Sequence, residues 1–163
     1  MHGADWQLVP LLLEVGGDEF AKTAETMPFN QWQNTLNGMR SKVLQPGVRR
    51  WLISEWQKAP HGDLMSVLIS FPGPDITEAL QNTELSTSEQ ALSLASVLNR
   101  SNPERVERTA LSVAAANALA AATDQEHISA LAEILRRLHT ENGLEALLAY
   151  DGPENKEISR ALQ

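Results

Sequence analysis

Residues 102–138, with the sequence NPERVERTALSVAAANALAAATDQEHISALAEILRRL, decide the fold class because they contain two consecutive helix signals separated by a short turn. Asn102, Pro103 and Glu104 give the first helix an N-cap residue, a proline at the first helical position and an acid behind it. The helix that follows is rich in alanine, whose small side chain lets neighbouring helices approach closely. This segment is therefore predicted to be a closely packed helix.

The second helix of this stretch is predicted to begin after Thr123, because Thr123 and Glu126 have the spacing of a capping box. Its apolar residues recur at intervals of three and four, and they are Ile128, Leu131, Leu135 and Leu138. Beyond it, Gly143 predicts a C-terminal stop, and Leu144 to Tyr150 predicts another short helix. The last ten residues are expected to form a weak polar helix or to fray.

Nearly every other segment also has helical periodicity. The further predicted helices cover residues 6–15, 18–27, 29–44, 48–58, 63–71, 76–80 and 87–99. Val67 to Phe71 is short enough to be a strand instead. Helices that begin near residues 87, 103 and 125 are about 16 to 22 residues apart, which is typical of antiparallel hairpins. We therefore predict an all-α fold, a single-domain bundle of about 8–10 short helices, with a short α-solenoid of helical hairpins as the alternative.

The predicted domain is the whole chain, residues 1–163, with a subdivision at the Pro- and Gly-containing loop after Phe71. Residues 1–71 would form a helical half that holds all four tryptophans, and residues 75–163 an acidic half rich in alanine and leucine.

The chain has a net charge of −8, and no lysine or arginine lies between Lys58 and Arg100, where five acids occur. This distribution disfavours nucleic acid and anionic membranes as partners. We interpret the acidic window as either a solvated face or a docking face for a protein with a basic face.

The absence of cysteine excludes disulfides and zinc-thiolate sites, and fits a cytosolic protein. No apolar run approaches the ~18 residues that a membrane span needs, and no secretory signal pattern is present. We predict a cytoplasmic protein, with export without a cleavable signal as the alternative.

Four tryptophans, Trp6, Trp32, Trp51 and Trp56, lie in the first half, and Trp51 and Trp56 are flanked by basic residues. These two lie about 140° apart on a helix, so one of them is expected at the surface, where tryptophan and arginine dominate binding hot spots. The alternative is that both are packed with satisfied indole N–H groups. The predicted partner-binding residues are Trp51, Trp56, Arg49, Arg50 and Trp6. The dense apolar segment that begins at Trp6 could also cover a second copy of the chain, which would form a homodimer.

Gly16 to Phe20 read Gly-Gly-Asp-Glu-Phe, and this five-residue segment resembles the signature of the diguanylate cyclase family. The resemblance implies a tight hairpin whose glycines approach a nucleotide, with Asp18 and Glu19 in metal-linked roles. In that family a glycine-histidine segment comes before the signature, whereas the similar His61-Gly62-Asp63 comes after it here. An alternative explanation is that two glycines end one helix and two acids begin the next.

The four histidines, His2, His61, His127 and His139, lack the four-residue spacing of paired metal ligands, and His139 is expected near a helix C-terminus. P-loop, nucleophile-elbow and cysteine-nucleophile patterns are absent from the sequence. We therefore expect no cofactor and a non-enzymatic protein interaction module, such as an adaptor, regulator, chaperone-like subunit or assembly or secretion accessory subunit. The alternative is a nucleotide-binding or metal-dependent regulatory enzyme centred on Gly16 to Phe20.

Overall fold

A computed structural model describes Ala24, Trp32, Gln33, Leu36 and residues 44–163. The helices of this part are α1 (Pro46–Lys58), α2 (Gly62–Ser70), α3 (Pro74–Gln81), α4 (Ser88–Leu98), α5 (Arg105–Ala121), α6 (Gln125–Leu138), α7 (Glu141–Leu148) and α8 (Lys156–Ala161). The described residues contain no strand, so the prediction of an all-α bundle is confirmed, and the segment that could have been a strand belongs to α2. The helices predicted at 6–15, 18–27 and 29–44 lie almost wholly outside the described residues.

Two helix starts differ from the prediction. Helix α5 begins at Arg105, with Glu104 at the N-cap and no side-chain cap, so Asn102 does not cap it and Pro103 is not its first residue. Helix α6 is capped by Asp124, whose carboxylate accepts a hydrogen bond of 2.9 Å from the His127 backbone N–H. The predicted cap at Thr123 is therefore wrong by one residue.

The end of α6 also differs from the prediction. Its C-cap is His139, which adopts the left-handed conformation (φ 48°) that glycine usually supplies. Gly143 lies inside α7 instead, and Thr140 caps that helix by accepting from the Gly143 N–H at 3.2 Å. A Cβ atom at Gly143 would lie 2.9 Å from the Ser112 hydroxyl of α5. The glycine is therefore explained by the close approach of α5 and α7, and not by a helix stop.

Helix α6 is the central element of the described bundle. It packs against α4, α5, α7 and α8, while α3 packs against α5, and α1 packs against α2 and α3. Its strong amphipathic pattern explains this position, since all the apolar residues predicted at three- and four-residue spacing are buried. Buried side chains from Ala24 to Ile158 form a single hydrophobic cluster.

Candidate functional site

The two tryptophans predicted as partner-binding residues are both buried. Trp51 is 3% exposed and Trp56 is 0% exposed, so the expectation that one of them lies at the surface is wrong and the alternative, that both are packed inside the bundle, is confirmed. The Trp56 indole N–H donates to the Thr83 hydroxyl at 2.9 Å, and the Trp51 ring packs on Trp32 with 5.1 Å between ring centroids. Helix α1 is covered on more than one side, so two residues 140° apart can both be buried.

Arg49, also predicted to bind a partner, joins α1 to α3. Its guanidinium donates to both carboxylate oxygens of Asp75, at 2.7 and 2.5 Å, and to the Phe71 carbonyl at 3.3 Å. The Asp75 hydrogen bond raises the pKa of Arg49, and the same hydrogen bond lowers the pKa of Asp75. Arg50 is exposed on α1, and Trp6 lies outside the described residues.

A large open groove lies at the other side of the bundle, with a volume of about 710 Å³. Residues 81–88, which are the last residue of α3, the segment that follows it and the first residue of α4, form one wall. The C-terminal half of α5 and the turn 122–124 form the opposite wall. We call this feature the 81–88 groove.

Specific hydrogen bonds hold the 81–88 groove in shape. The imidazole Nε2 of the buried His127 bonds to the Leu85 carbonyl at 2.8 Å, which attaches the 81–88 wall to α6. The Ser88 hydroxyl donates to the Asp124 carboxylate at 3.1 Å, which joins the starts of α4 and α6. These hydrogen bonds fix the 81–88 wall to helix α6, although most of that wall is a connecting segment and not a helix.

The α5 wall combines small side chains with one free amide. Ala114, Ala118 and Ala121 line it, and these methyl groups leave room for side chains of an incoming segment. Asn117 lies among them, is exposed, and makes no side-chain hydrogen bond with a described residue. This wall thus offers apolar contact area beside a free donor and acceptor.

The groove and its surroundings are negatively charged. Asp124 lines it, and Glu84, Glu89 and Glu126 are exposed at neighbouring positions in the chain, whereas no lysine or arginine is among the lining residues. Hydrogen bonds to the carboxylate, chiefly from the His127 backbone N–H and then from Ser88, lower the pKa of Asp124 and keep it ionised.

Four helix ends line the groove: the C-termini of α3 and α5 and the N-termini of α4 and α6. Helices α3 and α5 both end at the groove, and neither has a basic residue in its last turn. The carbonyls at a helix C-terminus carry partial negative charge that such residues would offset. The partial positive charge at the N-termini of α4 and α6 offsets these carbonyls, so the carboxylates, and not the helix ends, suit the groove to cationic side chains.

Sequence reasoning found part of this site. It identified the acidic window between Lys58 and Arg100, which contains the 81–88 wall, but it named none of the groove's residues as a binding site. The contact between His127 and Leu85 joins residues 42 positions apart, and no periodic pattern signals it.

The resemblance at Gly16 to Phe20 lies outside the described residues, and the enzymatic interpretation stays a prediction. Among the residues that the structure describes, no three histidine, cysteine, aspartate or glutamate side chains form a group that could hold a metal ion. In the same part of the chain, no helix is both long and apolar enough to span a bilayer. Comparisons with protein-family models, with curated proteins and with solved structures find no match.

Proposed function

We propose that this protein is a protein-binding module, an adaptor, regulator or assembly subunit, that accepts a basic segment of another protein in the 81–88 groove. The observation that carries the proposal is a structured groove with an alanine wall, the carboxylate of Asp124 and no lysine or arginine in its lining, with three exposed glutamates at neighbouring positions in the chain. An amphipathic helix with lysine or arginine on its flanks matches both features, because its apolar face meets the alanines and its cations meet the carboxylates.

A pair of synthetic peptides tests the charge requirement. One is a short amphipathic helix of leucine, alanine and lysine, and the other has glutamate in place of lysine. Fluorescence anisotropy with the full chain is expected to show binding of the lysine peptide only. Raising the salt concentration from about 0.1 M to about 1 M shortens the Debye length from about 10 Å to about 3 Å and should weaken the binding. Equal binding of both peptides would contradict the proposal.

Matched variants locate the binding. The triple substitution Glu84→Gln, Glu89→Gln and Glu126→Gln should weaken the lysine peptide about ten-fold, because three exposed charge contacts together contribute about 1.4 kcal/mol. A control with the same change in net charge is Glu145→Gln, Asp151→Asn and Glu154→Gln, three exposed residues of α7 and the segment after it that are not adjacent in the chain to any groove-lining residue, and it should change the affinity less than about two-fold. Equal losses from the two triples would show that only net charge matters.

Filling the groove tests its shape. Ala118→Phe places a ring on the α5 wall and should abolish binding of the lysine peptide at every salt concentration. Ala120→Phe makes the same change on α5 at a position that does not line the groove, so it should retain binding. Full binding by the Ala118 variant would place the peptide elsewhere on the protein.

A further inference from the structure

A second cleft lies at the opposite end of α5 and carries the opposite charge. Its volume is about 370 Å³, and it lies between the first turns of α5 and the connection from α6 to α7. Since α5 has 17 residues, it is about 25 Å long, which separates this cleft from the 81–88 groove. We call it the Arg105/Arg108 cleft.

Arg105 and Arg108 line this cleft, and neither side chain forms a hydrogen bond or ion pair with a described residue. By contrast, Arg136 and Arg137 both donate to Glu133, at 2.8 and 2.6 Å. Two arginines that share a cleft without a carboxylate partner are unexpected in a chain with a net charge of −8.

The position of Arg108 strengthens this point. Its Nε atom is buried and has no hydrogen-bond acceptor among the described residues. A guanidinium N–H removed from water without an acceptor is destabilising, so this arginine is kept at a cost to stability, as residues of binding sites can be.

Helix electrostatics give a further argument. Arg105 and Arg108 lie in the first turns of α5, at the positive end of the helix dipole, where cations are disfavoured. The first turn of α7 and His139, the C-cap of α6, complete the cleft, so a second positive helix end faces it beside the negative end of α6. A residue choice that opposes the local electrostatics in this way is characteristic of binding sites.

We propose that the Arg105/Arg108 cleft binds a phosphate group. Two guanidinium groups offer up to ten N–H donors and two positive charges, more than a single carboxylate can accept or neutralise. A phosphate ester supplies three acceptor oxygens and a charge between about −1.5 and −2 at neutral pH, which matches both. Glu141 also lines the cleft, and its carboxylate repels the same ligand, so it limits the affinity.

The test is a calorimetric titration of the full chain in phosphate-free buffer, with inorganic phosphate and with O-phosphoserine as the probes. Saturable binding of inorganic phosphate alone identifies a site for the free ion, and binding of both probes identifies a site for phosphate esters. Both results support the proposal when they depend on Arg108. Absence of saturable binding of either probe would overturn it.

Four variants make this dependence specific. Arg108→Gln should weaken binding at least about ten-fold, and Arg108→Lys should give a smaller loss, because lysine keeps the charge and loses the planar fork. Arg105→Gln should also weaken binding, and because Arg105 is exposed we expect this variant to keep the fold. Arg100→Gln removes the same charge from an exposed residue outside the cleft and should leave the affinity within about two-fold.

Glu141→Gln gives a change of opposite sign. Removing this carboxylate should strengthen phosphate binding about three-fold or more, since one repulsive charge is lost beside the ligand. Equal losses in Arg108→Gln and Arg100→Gln, or an unchanged affinity in both cleft arginine variants, would overturn the proposal. The result is independent of peptide binding in the 81–88 groove, because the two sites share no lining residue.

Discussion

Substitution of Thr83 by valine tests how helix α1 is attached to the segment that follows α3. The Thr83 hydroxyl accepts from the Trp56 indole at 2.9 Å and donates to the Leu80 carbonyl at 2.7 Å, and both residues are buried. Valine has nearly the same shape but leaves the indole N–H without its acceptor. A buried polar group that loses its partner costs about 1–3 kcal/mol, so Thr83→Val should lower the free energy of unfolding by about 2 kcal/mol.

Thermal denaturation followed by circular dichroism should show this loss as a decrease in Tm of about 4–8 °C for a chain of this size. Trp56→Phe removes the donor, so the double variant should be less destabilised than the sum of the two single variants by at least about 0.5 kcal/mol. Thr77→Val is the control, because the Thr77 hydroxyl bonds only within its own helix turn, to the Gly73 carbonyl. Additive losses, or a loss from Thr83→Val no larger than that of the control, would refute this account of the contact.

Three further predictions concern stability. The pKa of Asp75 is lowered in the folded protein, so its ion pair with Arg49 stabilises the fold fully above the unfolded pKa, near 3.9, and this contribution disappears as the pH falls through the folded pKa. Asp75→Asn should therefore flatten the acid side of a plot of Tm against pH. An unchanged slope would contradict the assignment. Glu107 is 7% exposed, and its buried Oε2 atom accepts no hydrogen bond from a described residue. Glu107→Met should therefore raise the free energy of unfolding, measured in urea, by about 1–2 kcal/mol. A loss of stability would show that the carboxylate has a favourable role. Gly143→Ala would place a Cβ atom 2.9 Å from the hydroxyls of both Ser112 and Thr140, so the gain in helix propensity of about 1 kcal/mol should be cancelled and the Tm should fall; a higher Tm would show that the hydroxyls can move.

The helices could be predicted from periodicity, because the apolar spacing of α4, α5 and α6 reflects a local geometric rule. Their ends could not be predicted as well, since tertiary contacts decide between competing caps. Gly143 illustrates this: a glycine after an asparagine resembles a helix stop, yet the structure uses it for the close contact with Ser112. His139 takes the left-handed position in its place.

The burial of Trp51 and Trp56 shows a second limit. An angle of 140° places one of two residues at the surface only when a helix is buried on a single side. Helix α1 instead contacts α2 and α3, and Trp51 packs on Trp32. The number of sides on which a helix is covered depends on the topology, which a single sequence does not state.

The candidate sites were only partly predictable. The acidic window was visible as a stretch without lysine or arginine, and it contains the 81–88 wall of the groove. The groove itself depends on long-range contacts such as that of His127 with Leu85. Arg105 and Arg108 gave no signal in the sequence, because an unpaired arginine can be recognised only when the surrounding carboxylates are located.

A nuclear magnetic resonance titration of the ¹⁵N-labelled chain with the lysine peptide shows directly where the peptide binds. We expect the chemical-shift changes to concentrate on the backbone amides of residues 81–88 and 117–124, and to vanish in the Ala118→Phe variant. Changes that map to other surfaces, or that persist unchanged in that variant, would contradict the proposal that this protein binds a basic segment in the 81–88 groove.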